Sequence, residues 1–451
     1  MPNLPSTLPA LTRRQLFQVG SVGVSGYFLD SLARPPAVAA AEKVRPRASA
    51  ECCIFINLSG GASHVDTFDI KEQRWTPPDF DIRTIRPGLR MPVALFPKLS
   101  ESIDKLALVR SMRAWENEHI RAQFYLQVAH SPSPSRLKEM PSIGAVIASE
   151  LASKRRDTDY LPPFVAMNFT SGAFKVIGEG CLDSSNTPLA LETETSFDFV
   201  ISPEEHARFR RRWEILQKFE RTAAGGGRYA EEFQAHYRGA HAMMESPDIR
   251  QVLTLTEEDR KRYGSSQVGD ACALARNLVR AKSGTRFIMV SHKGWDTHVD
   301  IYAKNSQYKL ARELDAALAG LLKDLEESRL LDKTFVCCLG EFGRTPGELT
   351  VNKGRDHYKD AFTGVFAGAG TQGGRAIGAT DELGASIKDP GWHRKRPVYF
   401  EDVAATIYSV LGIDWTKTIK ETPSGRAFEY IEHQSGTDFF EPDEISELFG
   451  D

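Results

Sequence analysis

The stretch CCIFINLSGG, residues 52–61, is the part of the sequence that decides the fold. Its first seven residues form a short, almost wholly apolar run, and the glycines after it permit a tight turn. A run without alternation between polar and apolar residues is typical of a strand buried on both faces of a parallel sheet. We therefore predict a buried parallel strand here.

Similar apolar runs occur further along the chain, at residues 164–168, 286–292, 334–339 and 364–369. Amphipathic helical patterns lie between and after them, at residues 310–325 and 402–411. Strands that alternate with helices predict an α/β fold, with a mostly parallel central sheet and helices on both faces.

Residues 202–263 depart from this alternation because they are strongly charged and are interrupted by three consecutive glycines. They contain too few apolar residues for a core of their own. We predict a helical excursion within one domain that covers residues 50–440.

The N-terminus has the features of an export signal. Residues 12–17, TRRQLF, resemble the twin-arginine motif, and a glycine-rich apolar stretch follows. Residues 35–41, PPAVAAA, offer the small residues that signal peptidase prefers. We predict a twin-arginine signal peptide at residues 1–41 and a periplasmic or extracellular mature protein; an ordinary N-terminal helix is the alternative.

The overall composition and charge indicate which kinds of partner to expect. The 451 residues are 41% hydrophobic and 26% charged, and the formal net charge is -3. This balance gives no indication of a nucleic-acid partner. No further run is long enough to cross a bilayer, so we do not expect an integral membrane protein. The sequence does not indicate an oligomeric state.

The six cysteines include two adjacent pairs within strand-like runs, Cys52–Cys53 and Cys337–Cys338. They are predicted to be small buried apolar residues, although a disulfide in an exported protein stays open.

Polar side chains follow several of the predicted strands. Asp66 follows the first strand, Asp296 and His298 follow residues 286–292, and Glu341 follows residues 334–339, with His357 in the next loop. Ligand sites in open α/β sheets form at the carboxyl ends of the strands. Carboxylates and imidazoles together suit zinc, manganese or iron, and carboxylates alone also suit calcium.

Each of these residues also has a simpler interpretation. Asp66 could be a turn residue, Glu341 could pair with Arg344, and Asp356 could pair with Arg355. Arg344, Arg355 and Lys353 could bind a substrate oxyanion, or could be ordinary surface charge.

The order of the motifs resembles one known family. The matching segments are residues 60–69 (GGASHVDTFD), 294–298 (GWDTH), 340–346 (GEFGRTP), 354–357 (GRDH), 402–408 (DVAATIY) and 411–413 (LGI). The chain resembles, over about residues 50–439, a bacterial secreted family of unknown function, number 1501, placed in the alkaline-phosphatase and sulfatase-like superfamily. This resemblance implies an alkaline-phosphatase-like three-layer sandwich.

The resemblance also implies a divalent metal ion held by five residues: Asp66, Asp296, His298, Glu341 and His357. In active relatives of the superfamily the metal polarises a phosphate or sulfate ester, and a side-chain nucleophile attacks it.

Two departures from the superfamily pattern are visible. Phe342 stands where relatives often have a histidine ligand. The segment that carries the nucleophile in sulfatases corresponds to residues 116–130, in which the most nucleophile-like residue is His119. His119 and Arg344 are therefore the candidate catalytic residues, with Arg355 and Lys353 as candidate substrate-binding residues.

Three functions remain open. The first is an exported metal-dependent hydrolase of sulfate or phosphate esters, acting on a small ester or sugar ester. The second is a catalytically inactive binding or assembly protein on the same fold. The third keeps a metal ion, in a structural role alone.

Overall fold

A computed structural model describes residues 44–169, 174–194, 205–222, 228–432 and 440–450. The predicted signal peptide at residues 1–41 lies outside these ranges. The described residues from Pro46 onward form one compact unit. No helix in the described ranges is both long and apolar enough to cross a membrane.

A central sheet organises the molecule. Within the described residues eight strands form it, in the order β12-β4-β11-β8-β1-β7-β5-β6. They are β1 Cys52–Leu58, β4 Ala107–Met112, β5 Phe164–Met167, β6 Leu189–Leu191, β7 Phe287–His292, β8 Thr334–Leu339, β11 Phe362–Ala367 and β12 Arg375–Ile377. Only β11 runs antiparallel to its neighbours in this sheet.

The remaining strands form two-stranded pairs: β2 Ile82–Arg86 with β3 Leu89–Pro92, β9 Gly343–Arg344 with β10 His357–Tyr358, β13 Ala379–Thr380 with β14 Ile387–Asp389, and β15 Thr418–Ile419 with β16 Phe428–Glu429. The α-helices of the described ranges are α1 Pro97–Glu101, α2 His119–Val128, α3 Ile143–Glu150, α4 His206–Thr222, α5 Arg228–Glu245, α6 Ile249–Leu253, α7 Glu257–Tyr263, α8 Gln267–Ala281, α9 Gln307–Glu327 and α10 Phe400–Val410. Four of them, α4 to α7, occupy the charged segment.

Helices cover both faces of the sheet because alternate residues of each strand point to opposite faces. Ile54, Ile56 and Leu58 of β1 share one buried apolar cluster with α8 and α9. On the other face α3 contacts β5 and β7, and a Cβ at Gly144 of α3 would lie 2.7 Å from the rings of Phe164 and Phe287. The predicted α/β three-layer architecture is confirmed.

The sequence located the central strands well but missed elements at the edges of the sheet. The runs predicted as strands correspond to β1, β5, β7, β8 and β11, and the two helical patterns correspond to α9 and α10. β4, β6 and β12 were not predicted: β6 and β12 are edge strands of three residues, and Arg110 and Ser111 interrupt the apolar run of β4. All six cysteines are free, and only Cys181 is partly exposed.

Candidate metal centre

The candidate site lies where three neighbouring strands end. β7, β1 and β8 are adjacent and parallel, so the loops after them leave the same edge of the sheet. Gly60 follows β1, Asp296 follows β7 and Glu341 follows β8. Gly60 has φ of +106°, and a Cβ there would lie 2.4 Å from the backbone nitrogen of Asp296. Only glycine therefore lets these two loops approach so closely.

Three imidazoles and one carboxylate converge at this edge. Nε2 of His298 lies 2.9 Å from Oδ1 of Asp296, and Nε2 of His119 and Nε2 of His357 each lie 3.3 Å from the same oxygen. The Nε2 atoms of His298 and His357 are 3.0 Å apart. We call these four residues the Asp296 cluster.

Two of these histidines reach the cluster from distant segments. His119 is the first residue of α2, whose N-terminus is capped by the Glu118 carboxylate accepting from the backbone N–H groups of Ile120 and Arg121. His357 lies in β10, directly opposite Arg344 of β9 in an antiparallel pair. The β9–β10 pair therefore carries an arginine and a histidine to the same place.

The outer nitrogen of each imidazole is held by an acceptor. Nδ1 of His119 lies 2.8 Å from a Glu341 carboxylate oxygen, and Nδ1 of His298 lies 2.9 Å from a carboxylate oxygen of Asp356. Nδ1 of His357 lies 2.7 Å from the backbone carbonyl of Asn117. Because carbonyls and ionised carboxylates only accept, each Nδ1 carries a proton, and the neutral form of each imidazole presents its Nε2 lone pair to the cluster.

Glu341 orients His119 rather than joining the cluster directly. Its carboxylate is fully buried and accepts the backbone N–H of Gly60 at 3.0 Å as well as the Nδ1–H of His119. From the sequence, Glu341 was expected to be a metal ligand. Its carboxylate lies instead behind His119, and a carboxylate in that position fixes the tautomer and orientation of a ligating histidine.

The neighbours shift the pKa values of two cluster residues. Burial lowers the pKa of His119, but its contacts with Asp296 and Glu341 outweigh burial and raise that pKa to about 9. Burial raises the pKa of Asp296, but His119, His357 and Arg344 together hold it well below its ordinary value. Nε2 of His119 has no hydrogen-bond partner among the described residues. The cluster therefore attracts a cation, whether a proton or a metal ion.

Arg344 lies against the cluster and is completely buried. Its Nη2 lies 2.5 Å from Oδ1 of Asp296, and its Nη1 lies 3.4 Å from Nε2 of His298. The remaining donors bond to the carbonyls of Gly60, Gly61 and Arg355. From the sequence, Arg344 was a candidate catalytic residue. In this structure its donors are taken up by the protein, so it fixes Asp296 instead of facing a substrate.

Asp66 and Arg355 form a separate buried pair. Arg355 Nε lies 2.7 Å from Oδ2 of Asp66, and both side chains are at most 1% exposed. Tyr302 and Ser63 also donate to the Asp66 carboxylate, at 2.7 and 2.5 Å. The structure therefore does not bring Asp66 into the Asp296 cluster as the expected metal ligand. It also places Arg355, the expected substrate binder, in the core.

Lys353, the other expected substrate binder, has an exposed position near the cluster. Its backbone pairs with Val299, the residue after His298, in an isolated antiparallel bridge. A Cβ at the next residue, Gly354, would lie 2.0 Å from the carbonyl carbon of His298. The loop that bears Lys353 is thus packed directly against the loop after β7 that supplies His298.

The Asp296 cluster has the donor set of a transition-metal site. Tetrahedral zinc with bonds of about 2.0–2.1 Å places its ligand atoms about 3.3 Å apart. The same distance, 3.3 Å, separates Oδ1 of Asp296 from Nε2 of His119 and from Nε2 of His357. Three lone pairs that face one another and a carboxylate repel unless a cation lies between them. The ligand atoms of His119, Asp296 and His357 all lie within 4.8 Å of one another, so these three residues fit zinc or manganese, with His298 beside them. Calcium, which takes oxygen ligands, does not fit three imidazoles.

A cavity of about 900 Å³ opens beside the cluster. Asp296 and His298 form part of its wall, together with Ser291, His292 and Lys309. The cluster is thus accessible from one side, as a catalytic metal requires.

Phe342, which replaces the expected histidine, forms an apolar wall on another side. Its ring centroid is 4.6 Å from that of His357 and 5.2 Å from that of His119. A second metal site built on this position lacks its imidazole.

Sequence reasoning missed two acceptors that orient the site. The sequence left open that Asp356 pairs with Arg355, whereas its carboxylate contacts His298, and its position directly before His357 is the available signal. Asn117 acts through its backbone carbonyl, which no residue-type pattern reveals.

Comparison with solved structures finds distant likenesses. The chain is 12% identical to a protein of the alkaline phosphatase superfamily from Vibrio parahaemolyticus, covering 82% of this chain and 69% of that one, with a TM-score of 0.39. It is 11% identical to the PsFucS1 sulfatase from Pseudoalteromonas sp., with coverages of 90% and 73% and a TM-score of 0.37. The phosphonate monoester hydrolase SpPMH from Silicibacter pomeroyi is 11% identical, with coverages of 81% and 73% and a TM-score of 0.37.

A search of curated proteins finds no match. The family model described as "Protein of unknown function (DUF1501)" matches residues 50–436, which is most of the chain and contains every residue of the Asp296 cluster. The chain therefore belongs to the DUF1501 family.

Proposed function

We propose that this chain is an exported, metal-dependent hydrolase of sulfate or phosphate esters. One observation carries the proposal: three imidazole Nε2 atoms and the Asp296 carboxylate converge beside an open cavity. Structural metal sites are normally closed, whereas catalytic sites keep access for a substrate.

A divalent ion bound there would act as a Lewis acid on an oxygen of the ester. The residues around it supply orientation. Glu341 holds His119, Asp356 holds His298, and Arg344 holds Asp296, each through a direct side-chain contact. The four inner side chains thus have little freedom before a substrate arrives, which lowers the entropic cost of reaching the reactive geometry.

The attacking group in this proposal is water. In the described part of the chain no serine, threonine or cysteine side chain is hydrogen-bonded to a residue of the Asp296 cluster. The cavity beside Asp296 and His298 has room for both a water molecule and the alcohol portion of an ester. The exposed Lys353 would attract the charged sulfate or phosphate group.

The export part of the proposal rests on residues 12–17 and 35–41. We expect Arg13→Lys/Arg14→Lys in the full chain to leave the protein in the cytoplasm, uncleaved. Cell fractionation and the mass of the mature protein test this, and normal processing of the double variant would contradict it.

The test of the hydrolase begins with metal content. Mature protein purified without chelators is expected to contain a stoichiometric transition metal and to hydrolyse aryl sulfates or aryl phosphates. Asp296→Asn is expected to lose both. Asp81→Asn is the matched control, because Asp81 is a similarly exposed aspartate in an ion pair with Arg83, outside the cluster. Turnover that survives in Asp296→Asn would refute the proposal.

A non-catalytic role is the second candidate. The observation in its favour is that Arg344 and Arg355 donate their hydrogen bonds to other groups of the protein. Neither guanidinium is therefore left to bind a substrate oxyanion. A stoichiometric metal without turnover on any ester of either class would favour this candidate. Chelation would then lower the melting temperature with no activity to lose.

A further inference from the structure

The charges in contact with the Asp296 cluster do not cancel. Three carboxylates are involved: Asp296 itself, Glu341 on His119 and Asp356 on His298. One guanidinium, Arg344, opposes them. With the imidazoles as neutral ligands, the group carries a formal charge of -2, which a single divalent cation neutralises.

The other two acids predicted as ligands are already engaged within the protein. Asp66, the other aspartate predicted as a ligand, is neutralised by Arg355 and accepts from Ser63 and Tyr302. Glu341 already accepts from Gly60 and His119.

Arg344 cannot withdraw when a metal ion binds. It is fully buried, and the backbone carbonyls of Gly60, Gly61 and Arg355 hold its guanidinium in place. Two of its nitrogens are within 3.4 Å of the oxygen of Asp296 and Nε2 of His298, both of which a metal ion would use. An ion in the cluster therefore stays close to a fixed positive charge, and the repulsion between the two opposes binding of the ion.

We infer that the centre binds one divalent ion, and that Arg344 is a built-in positive charge which takes the place of a second cation and weakens binding of the first. The inference rests on the metal centre of the proposed function and does not require turnover. Arg344 is accordingly a positioning residue, which acts through Asp296.

Isothermal titration of the metal-stripped mature protein with Zn²⁺, repeated with Mn²⁺, tests the inference. The wild-type protein is expected to bind one equivalent. Arg344→Gln is expected to bind the same ion at least tenfold more tightly, and Arg344→Lys to stay within about threefold of wild type because the charge is kept. Arg276→Gln, which removes another buried ion-paired arginine outside the centre, controls for general loosening.

A second variant, at an exposed residue, tests the inference without disturbing the buried core. Asp356→Asn alters a side chain that is 63% exposed and removes one negative charge from the group. We expect it to bind Zn²⁺ at least threefold more weakly, the opposite direction to Arg344→Gln.

The outcomes separate the two proposals. Wild-type protein that binds no metal would overturn the hydrolase together with this inference. Two equivalents in the wild type, Arg344→Gln binding no more tightly, or Asp356→Asn binding no more weakly would overturn this inference alone.

Discussion

Two aspartates near the same edge of the sheet have opposite surroundings. Asp66 is 1% exposed, and its partners are a buried arginine, a tyrosine and a serine. Asp296 is 41% exposed, and it meets a buried arginine and three imidazoles. In both cases an arginine neutralises the acid. The two carboxylates differ in their other surroundings: Asp66 is enclosed by protein, whereas Asp296 faces imidazole nitrogens and a cavity.

This comparison shows that an acid after a strand is not enough to define a ligand. A carboxylate whose oxygens are all used inside the protein contributes to stability. One that shares an oxygen with unpaired nitrogens and solvent can exchange partners. Substitutions at the two aspartates and at the acids around them test whether stability and ligand binding are really divided in this way.

The largest expected effect is on stability, from Asp66→Ala. It would leave the buried guanidinium of Arg355 without its counter-charge, which typically costs about 3–5 kcal/mol. Asp296→Ala, measured in urea with a chelator present, should cost less because the lost side chain is 41% exposed and three backbone carbonyls still accept from Arg344. Equal losses from the two variants would remove the distinction between the aspartates, and Asp81→Ala gives the background for an exposed aspartate.

A buried acid without an arginine sharpens the comparison. Glu401 is almost fully buried; Trp115 Nε1 donates to one oxygen at 2.9 Å, and the other oxygen has no partner among the described residues. Burial raises its pKa from the ordinary 4.5 to about 8. Between those values the folded state keeps a proton that the unfolded state has released, so stability falls as pH rises.

The corresponding experiment compares wild type with Glu401→Gln. Wild-type stability should lose on the order of 1 kcal/mol per pH unit more than the variant between about pH 5 and 8. Urea midpoints across this range measure the difference. Parallel pH profiles would show that Glu401 is ionised in the folded protein, with a partner of its own.

Metal addition should distinguish the two aspartates in a single assay. At a free ion concentration about 100 times Kd, the wild-type protein should gain about 2.7 kcal/mol of stability. Asp296→Asn should gain nothing, whereas Asp66→Asn, if it folds, should gain as much as wild type. Thermal shifts with Zn²⁺ provide the readout, and a wild-type-like gain in Asp296→Asn would place the ion elsewhere.

The smallest expected effect comes from Glu341→Gln. Loss of a carboxylate behind a ligating histidine typically weakens metal binding by about 10–100-fold, or about 1.4–2.8 kcal/mol. The wild-type fold should persist, because glutamine can still accept from Gly60 and His119. If the variant instead loses the metal as completely as Asp296→Asn, Glu341 is a direct ligand and does not act through His119.

The sequence predicted the central sheet and where on it a polar site would form, since both follow from continuous apolar runs and what comes after them. Asp296, His298 and His357 were identified this way and meet in the structure. The pairing of Asp66 with Arg355 was not predictable, because 289 residues separate them and only three-dimensional packing brings them together. The motif that contains Asp66 looks the same whether its aspartate binds a metal or an arginine.

The antiparallel pairing of Arg344 with His357 also determines where this family can vary in length. The intervening loop reaches solvent at Val351, which is 99% exposed, so insertions there should leave both ends of the pair in place. A single residue inserted between Arg355 and His357 would reverse the alternation of side chains and turn the histidine away from Asp296. Insertions and deletions in this loop should therefore occur only at its tip. The few residues on either side of the tip should keep a constant length.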